Sequence, residues 1–175
     1  NNTLSIYKKN HNVSQGTFMA YRGRYKPLHP EKYTGNPMKI IYRSLWERRF
    51  MRYLDENNRV IRWGSEEVIV PYRNAIDEQW HRYFPDFVYT VKRSDGEEET
   101  HMIEIKPYKQ TIPPNEKRKR TRSLLKEQST YIVNQCKWEY AEKYCNKKKW
   151  SFKVITEKDL SFNLSGNRRK RMVNA

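Results

Sequence analysis

Apolar residues along this chain shift between helical spacing, strand alternation and polar gaps, and the shifts divide it into elements. Between Arg43 and Asn57, the residues Trp46, Phe50, Tyr53 and Leu54 fall at i, i+4, i+7 and i+8, the stripe of one helix face. Ser44 with Glu47 three places on reads as a capping box at its start, and Asn57-Asn58 ends it. Short strands are predicted at 60–63 and 68–72, then a polar turn over 73–78. Longer strands follow at 80–91 and 100–106, joined through the hairpin signal Ser94-Asp95-Gly96. A helix is expected from about 121 to 148, broken near Asn134, with Tyr131, Gln135, Trp138 and Cys145 facing inward. Ser151 to Ile155 alternates as a last strand. The domain therefore spans 41–160. Residues 1–40, with Pro27, Pro30 and Pro37, read as an extended arm, and 161–175 as a basic tail carrying Arg168-Arg169-Lys170-Arg171. Met19 has the look of a natural start, with residues 1–18 as an extension.

The hairpin brings three charged positions together. If it is centred near Asp95, paired residues have numbers summing to about 190 or 191, so Asp86 lies opposite Glu104 or its neighbour. Residues i and i+2 of a strand share a face, so Glu104 and Lys106 project together. Two opposed carboxylates destabilise a sheet unless something neutralises them. A divalent cation and Lys106 would do so.

Composition sharpens this picture. The formal net charge of +16 attracts polyanions, nucleic acid foremost, because the charge is clustered and interleaved with aromatics. The run Lys117, Arg118, Lys119, Arg120, Arg122 and Lys126 is the densest cluster and is read as a DNA-binding surface rather than only a solvated helix face. Trp63, Trp80, Tyr108 and Tyr131 could stack on bases or fill the core. Cys136 and Cys145 lie nine residues apart on one helix, hence on opposite faces, and are expected to be reduced. The four scattered histidines suggest no metal cluster. No apolar run approaches the roughly 18 residues of a membrane span, and the N-terminus lacks the apolar stretch of a signal peptide.

The chemistry that fits is metal-dependent phosphodiester cleavage. A metal polarises the phosphate and lowers the pKa of the attacking water. Magnesium takes hard oxygen ligands and keeps several waters, so two or three carboxylates suffice. Asp86 and Glu104 are the expected ligands, with the Ile105 carbonyl as a further oxygen and Mg²⁺ or Mn²⁺ as the ion. Lys106 would orient the water or stabilise charge on the phosphate. Glu47, from the first helix, is a further catalytic candidate, although its capping box explains it equally well.

Several blocks carry a resemblance to a known family. They are Tyr42-Arg43-Ser44-Leu45-Trp46-Glu47, Trp63-Gly64-Ser65-Glu66, Arg82-Tyr83-Phe84-Pro85-Asp86-Phe87 and Ile103-Glu104-Ile105-Lys106-Pro107, with Met19 to Gly23 and Gln110 to Pro114 at the flanks. In this order the chain resembles the head-completion nucleases of T-even-type tailed bacteriophages. More widely it is similar to the PD-(D/E)xK superfamily, which includes restriction enzymes and a Tn7-type transposase endonuclease subunit. The resemblance implies an α/β (α+β) fold with a restriction-endonuclease-like core, a central mixed sheet flanked by helices. It also implies Mg²⁺-dependent cleavage of double-stranded or branched DNA, with Glu47 where the superfamily often has a helical acid. Its implied setting is head completion after DNA packaging, first in the host cytoplasm and then in the virion, against neck or portal proteins and no membrane. Two other readings compete: a structural neck protein with a vestigial site, and a nonenzymatic module that binds nucleic acid.

Overall fold

The computed structural model describes residues 21–115 and 119–159. In chain order its regular elements are β1 (Gly23–Arg24), β2 (Ile41–Tyr42), α1 (Leu45–Glu56), β3 (Val60–Gly64), β4 (Val70–Arg73), β5 (Trp80–Tyr83), β6 (Phe87–Lys92), β7 (Glu98–Ile105), α2 (Arg122–Lys148) and β8 (Ser151–Ile155). Four strands form the central sheet in the order β3-β6-β7-β8. Its first two pairings are antiparallel, and β7–β8 is parallel, with α2 as the crossover. This is the α+β architecture with a mixed sheet and flanking helices that the resemblance implied. Among the described residues no helix is long and apolar enough to cross a membrane.

Strand alternation gives the sheet two buried faces. Phe87, Ile103 and Ile105 join Phe50, Met51 and Leu54 of α1 in one cluster. Met102 joins Val70, Tyr72 and Tyr83 of the β4–β5 ribbon and Ala141 and Cys145 of α2 in the other, with Val88 packed against it. A strand buried on both sides needs apolar residues at successive positions, and Met102 and Ile103 supply them in β7. The Cys145 thiol lies 3.7 Å from the Met102 sulfur, and both cysteines are free thiols.

Three local expectations change. The predicted strand 80–91 is two strands, because Pro85 lacks an N–H and breaks the ladder. Its first half leaves the central sheet and pairs with β4 as a separate ribbon. α2 runs unbroken through Asn134, whose polar side chain is buried in the inward stripe with Trp138, Ala141 and Cys145. The stripe therefore passes through 134 rather than 135, and Gln135 is exposed. Residues 21–40, expected within an extended arm, are docked on the domain. Tyr33 and Ile40 are buried, and Tyr25 and Tyr33 meet Trp63 edge-on. The fully buried Asp55 fastens this segment to α1 by accepting the Tyr25 hydroxyl at 3.0 Å and the Leu28 and His29 amides at 2.7 and 3.0 Å. Residues 1–20, Lys117, Arg118 and the basic tail from 160 onward lie outside the described residues.

Candidate active site

The β6–β7 hairpin sets the register of the site. Gly96, at φ +88°, turns the chain where a side chain would be strained. From Lys92↔Glu98 to Phe87↔Ile103 every pair sums to 190, so the next step places Asp86 opposite Glu104. Asp86 lies just past the strand end, and its Oδ2 accepts the Ile105 N–H at 2.7 Å. Its carbonyl accepts the Glu66 N–H at 3.3 Å, and Glu66 itself adopts a left-handed backbone at φ +57°. Pro85 beside it is fully buried. The acid is therefore held by its backbone on one side and by β7 on the other.

Glu104 is 2% exposed and has both oxygens engaged. The Tyr83 hydroxyl donates to Oε2 at 2.6 Å, and Lys106 Nζ lies 2.8 Å from Oε1. Tyr83 reaches it because the break at Pro85 lets β5 fold over the α2 face of the sheet. Lys106 continues β7 past its end on the face of Glu104, and its own N–H donates to the Ile155 carbonyl at 2.9 Å.

Glu47 sits in the capping box read from the sequence. Its N–H donates to Ser44 Oγ at 3.1 Å, the Ser44 hydroxyl donates to Oε1 at 3.0 Å, and the Arg43 N–H donates to Oε2 at 2.7 Å. The helix start nevertheless lies close enough for the Glu47 charge to act on both Asp86 and Lys106. The Arg43 guanidinium pairs with Glu66 at 2.5 Å, closing this rim.

The charges are strongly interdependent. Burial pushes the Asp86 carboxyl well above the usual carboxylate range, and the Glu104 charge pushes further, while Lys106 and the Ile105 N–H act in the opposite sense. Burial pulls the Lys106 ammonium down, but Glu104 and Asp86 outweigh it and the net displacement is upward. Burial, and then the Glu104 charge, push the Tyr83 phenol far above its ordinary value, so it stays a donor.

Among the described residues no three His, Cys, Asp or Glu side chains cluster as a metal cage. The donor set still suits a hard cation. Two adjacent carboxylates repel each other, and Asp86 Oδ1 takes no hydrogen bond from any described residue. Two carboxylates with water completing the shell are an ordinary magnesium arrangement.

Of the expected DNA-binding residues, Lys119, Arg120, Arg122 and Lys126 are exposed at the start of α2, away from the helix's buried stripe. Trp63 is core, with no exposed surface, whereas Trp80 is 65% exposed and Tyr108 37%. Sequence reasoning missed Tyr83, Glu66 and Lys137 as neighbours of the site. The inward parity of Tyr83 within the Arg82-to-Phe87 block was the available signal. Nothing in the local pattern marks Lys137.

Residues 57–157 match the family model of the TnsA-like endonuclease N-terminal domain. The chain belongs to the TnsA-like endonuclease family. The matched span holds Asp86, Glu104 and Lys106, and it begins after Glu47. The chain is also 39% identical over 146 residues to a protein of Enterobacteria phage T4 named head completion nuclease, covering 81% of this chain and 95% of that one. No solved structure matches. As a member of this family the chain is a nuclease, a hydrolase of phosphodiester bonds.

Proposed function

We propose that this TnsA-like endonuclease is a metal-dependent DNA nuclease that acts in bacteriophage head completion, at the head–tail neck after packaging. The observation that carries the reading is the pair Asp86 and Glu104 on one hairpin step, with Lys106 at 2.8 Å from Glu104. The head-completion setting rests on the likeness to the T4 protein of that name, and the neck is the place the family resemblance implies. Asp86, Glu104 and the Ile105 carbonyl would hold Mg²⁺, with Mn²⁺ as a substitute. When bound, the ion polarises the phosphate and acidifies a water. Tyr83 keeps Glu104 oriented toward the site. Lys106 keeps a positive charge beside the carboxylates, where it can align the attacking water and meet charge developing on the phosphate. Glu47, released from its cap, would add a third carboxylate. The exposed bases Lys119, Arg120, Arg122 and Lys126, with Lys117 and Arg118 between them and the catalytic strand in sequence, would carry the duplex or branched DNA. The protein would work in the host cytoplasm during assembly and remain in the virion against neck or portal proteins.

The test is incubation of the chain with plasmid or branched DNA in Mg²⁺ or Mn²⁺, with and without chelator, beside Asp86→Ala and Lys106→Ala. Wild type should nick only with free metal, and both variants should be silent. Equal nicking by all three refutes the site, and nicking in excess chelator refutes the metal. Heads assembled with Asp86→Ala in place of wild type should contain the protein yet fail to mature; normal maturation would separate the nuclease from head completion.

A further inference from the structure

Lys137 is on the fifth turn of α2, and its side chain faces the sheet side that carries Glu104. Its Nζ lies 5.8 Å from the centre of the Tyr72 ring and 5.6 Å from that of Tyr83. Tyr83 is the residue whose hydroxyl holds Glu104, so one phenol ring separates this ammonium from the catalytic carboxylate. Lys137 is only partly exposed, and among the described residues no carboxylate lies within ion-pair distance of it. The stem is half-buried and the ammonium faces two rings rather than an anion, so it retains the capacity to take one. Burial lowers its pKa; the charges of Glu104 and Asp86 counteract that and Lys106 reinforces it, so the ammonium sits in the field of the site. The other site lysine, Lys106, is already bonded to Glu104.

From this placement we infer that Lys137 binds substrate: its ammonium takes a non-bridging phosphate oxygen of the nucleic-acid backbone beside the scissile bond. The two tyrosine faces hold the cation in place before substrate arrives, as ring faces attract ammonium groups. DNA would supply the missing anion. The role deepens the nuclease reading and rests on it, adding a contact from the middle of α2 to a site built from the sheet, its flanking ribbon and the start of α1.

The experiment measures DNA affinity against salt in an Asp86→Asn background with Mg²⁺, where binding is read without cleavage, and steady-state nicking in the otherwise wild-type chain. Each lost phosphate contact lowers the slope of log K against log salt by about 0.9. Lys137→Gln should show that loss and a fall in kcat/KM of about tenfold, the loss of one charge-assisted hydrogen bond. Lys137→Arg should restore both. A thermal midpoint close to wild type accompanies the expected result. If Lys137→Gln does not fold, Lys137→Met keeps the aliphatic stem over both rings and gives the same two readings. An unchanged slope, with or without slower cleavage, overturns the contact and leaves Lys137 a packing residue. Absence of nicking by wild type instead overturns the functional reading, so the two failures are distinct.

Discussion

Replacing Tyr83 with phenylalanine removes one oxygen and leaves the ring, so it isolates the bond to Glu104. That bond is 2.6 Å long, buried, and made to a carboxylate that is 2% exposed. Hydrogen bonds to charged groups contribute about 1.5–3 kcal/mol net, and the upper part of that range applies where the acceptor is left buried. Lys106 still holds the other oxygen, so the carboxylate is not wholly stranded. We therefore expect Tyr83→Phe to lose about 2–3 kcal/mol at neutral pH without metal. For a chain of this size each kcal/mol moves Tm by about 2–4 °C, so the midpoint should fall by about 4–12 °C. The assay is thermal or urea unfolding by circular dichroism, with Tyr72→Phe as control. Tyr72 is similarly buried, and its hydroxyl bonds to neither carboxylate. Nicking by Tyr83→Phe should also slow, because Oε2 of Glu104 loses its orienting donor. A midpoint within about 1 °C of wild type, matching the control, would refute the reasoning.

Asp86→Asn should abolish nicking while raising metal-free stability. The folded-state pKa of Asp86 lies above its unfolded value, so wild type loses stability as pH rises from about 4 through the raised pKa. The variant's advantage should thus be present at pH 7 and vanish below about pH 4 in a pH series of melts; an advantage that grows on acidification would contradict it. Ser44→Ala should cost about 1 kcal/mol by removing the α1 cap, measured in urea, and should free Glu47 from one of its two donors. Asp55→Ala should cost roughly 3 kcal/mol by stranding the Tyr25, Leu28 and His29 donors, and hydrogen exchange should speed at the Leu28 and His29 amides.

What the sequence disclosed about the site came from local geometry. A turn at Asp95-Gly96 fixes a hairpin, and a hairpin fixes which residues face each other, so the Asp86–Glu104 step could be worked out from numbering. The Ser44–Glu47 cap is likewise a four-residue affair. The missed parts depend on residues far apart in the chain. Tyr83 meets Glu104 only because Pro85 ends one strand and redirects the next toward β4, and reading 80–91 as one strand hid that turn. Lys137 comes from another element, where helical periodicity identifies the buried stripe and is blind to what a flanking lysine overhangs. Asn134 misled in both respects, since a polar residue inside the stripe looked like a break.

β7 is clamped between two unlike cores, and this makes its alignment self-checking. Sliding it by one residue against β6 would send Glu104 into the packing around Phe50 and Leu54, and would bring Ile103 or Ile105 under Tyr83. Each wrong alignment strands a charge in oil and an oily group among charges. The buried apolar neighbours on the α1 side therefore act as the proofreaders of the proposed cleavage centre. Substitutions at the exposed Ser94 that keep the turn length and Gly96 should be tolerated by the chemistry, whereas a polar residue at Ile103 should damage it from the far side of the sheet.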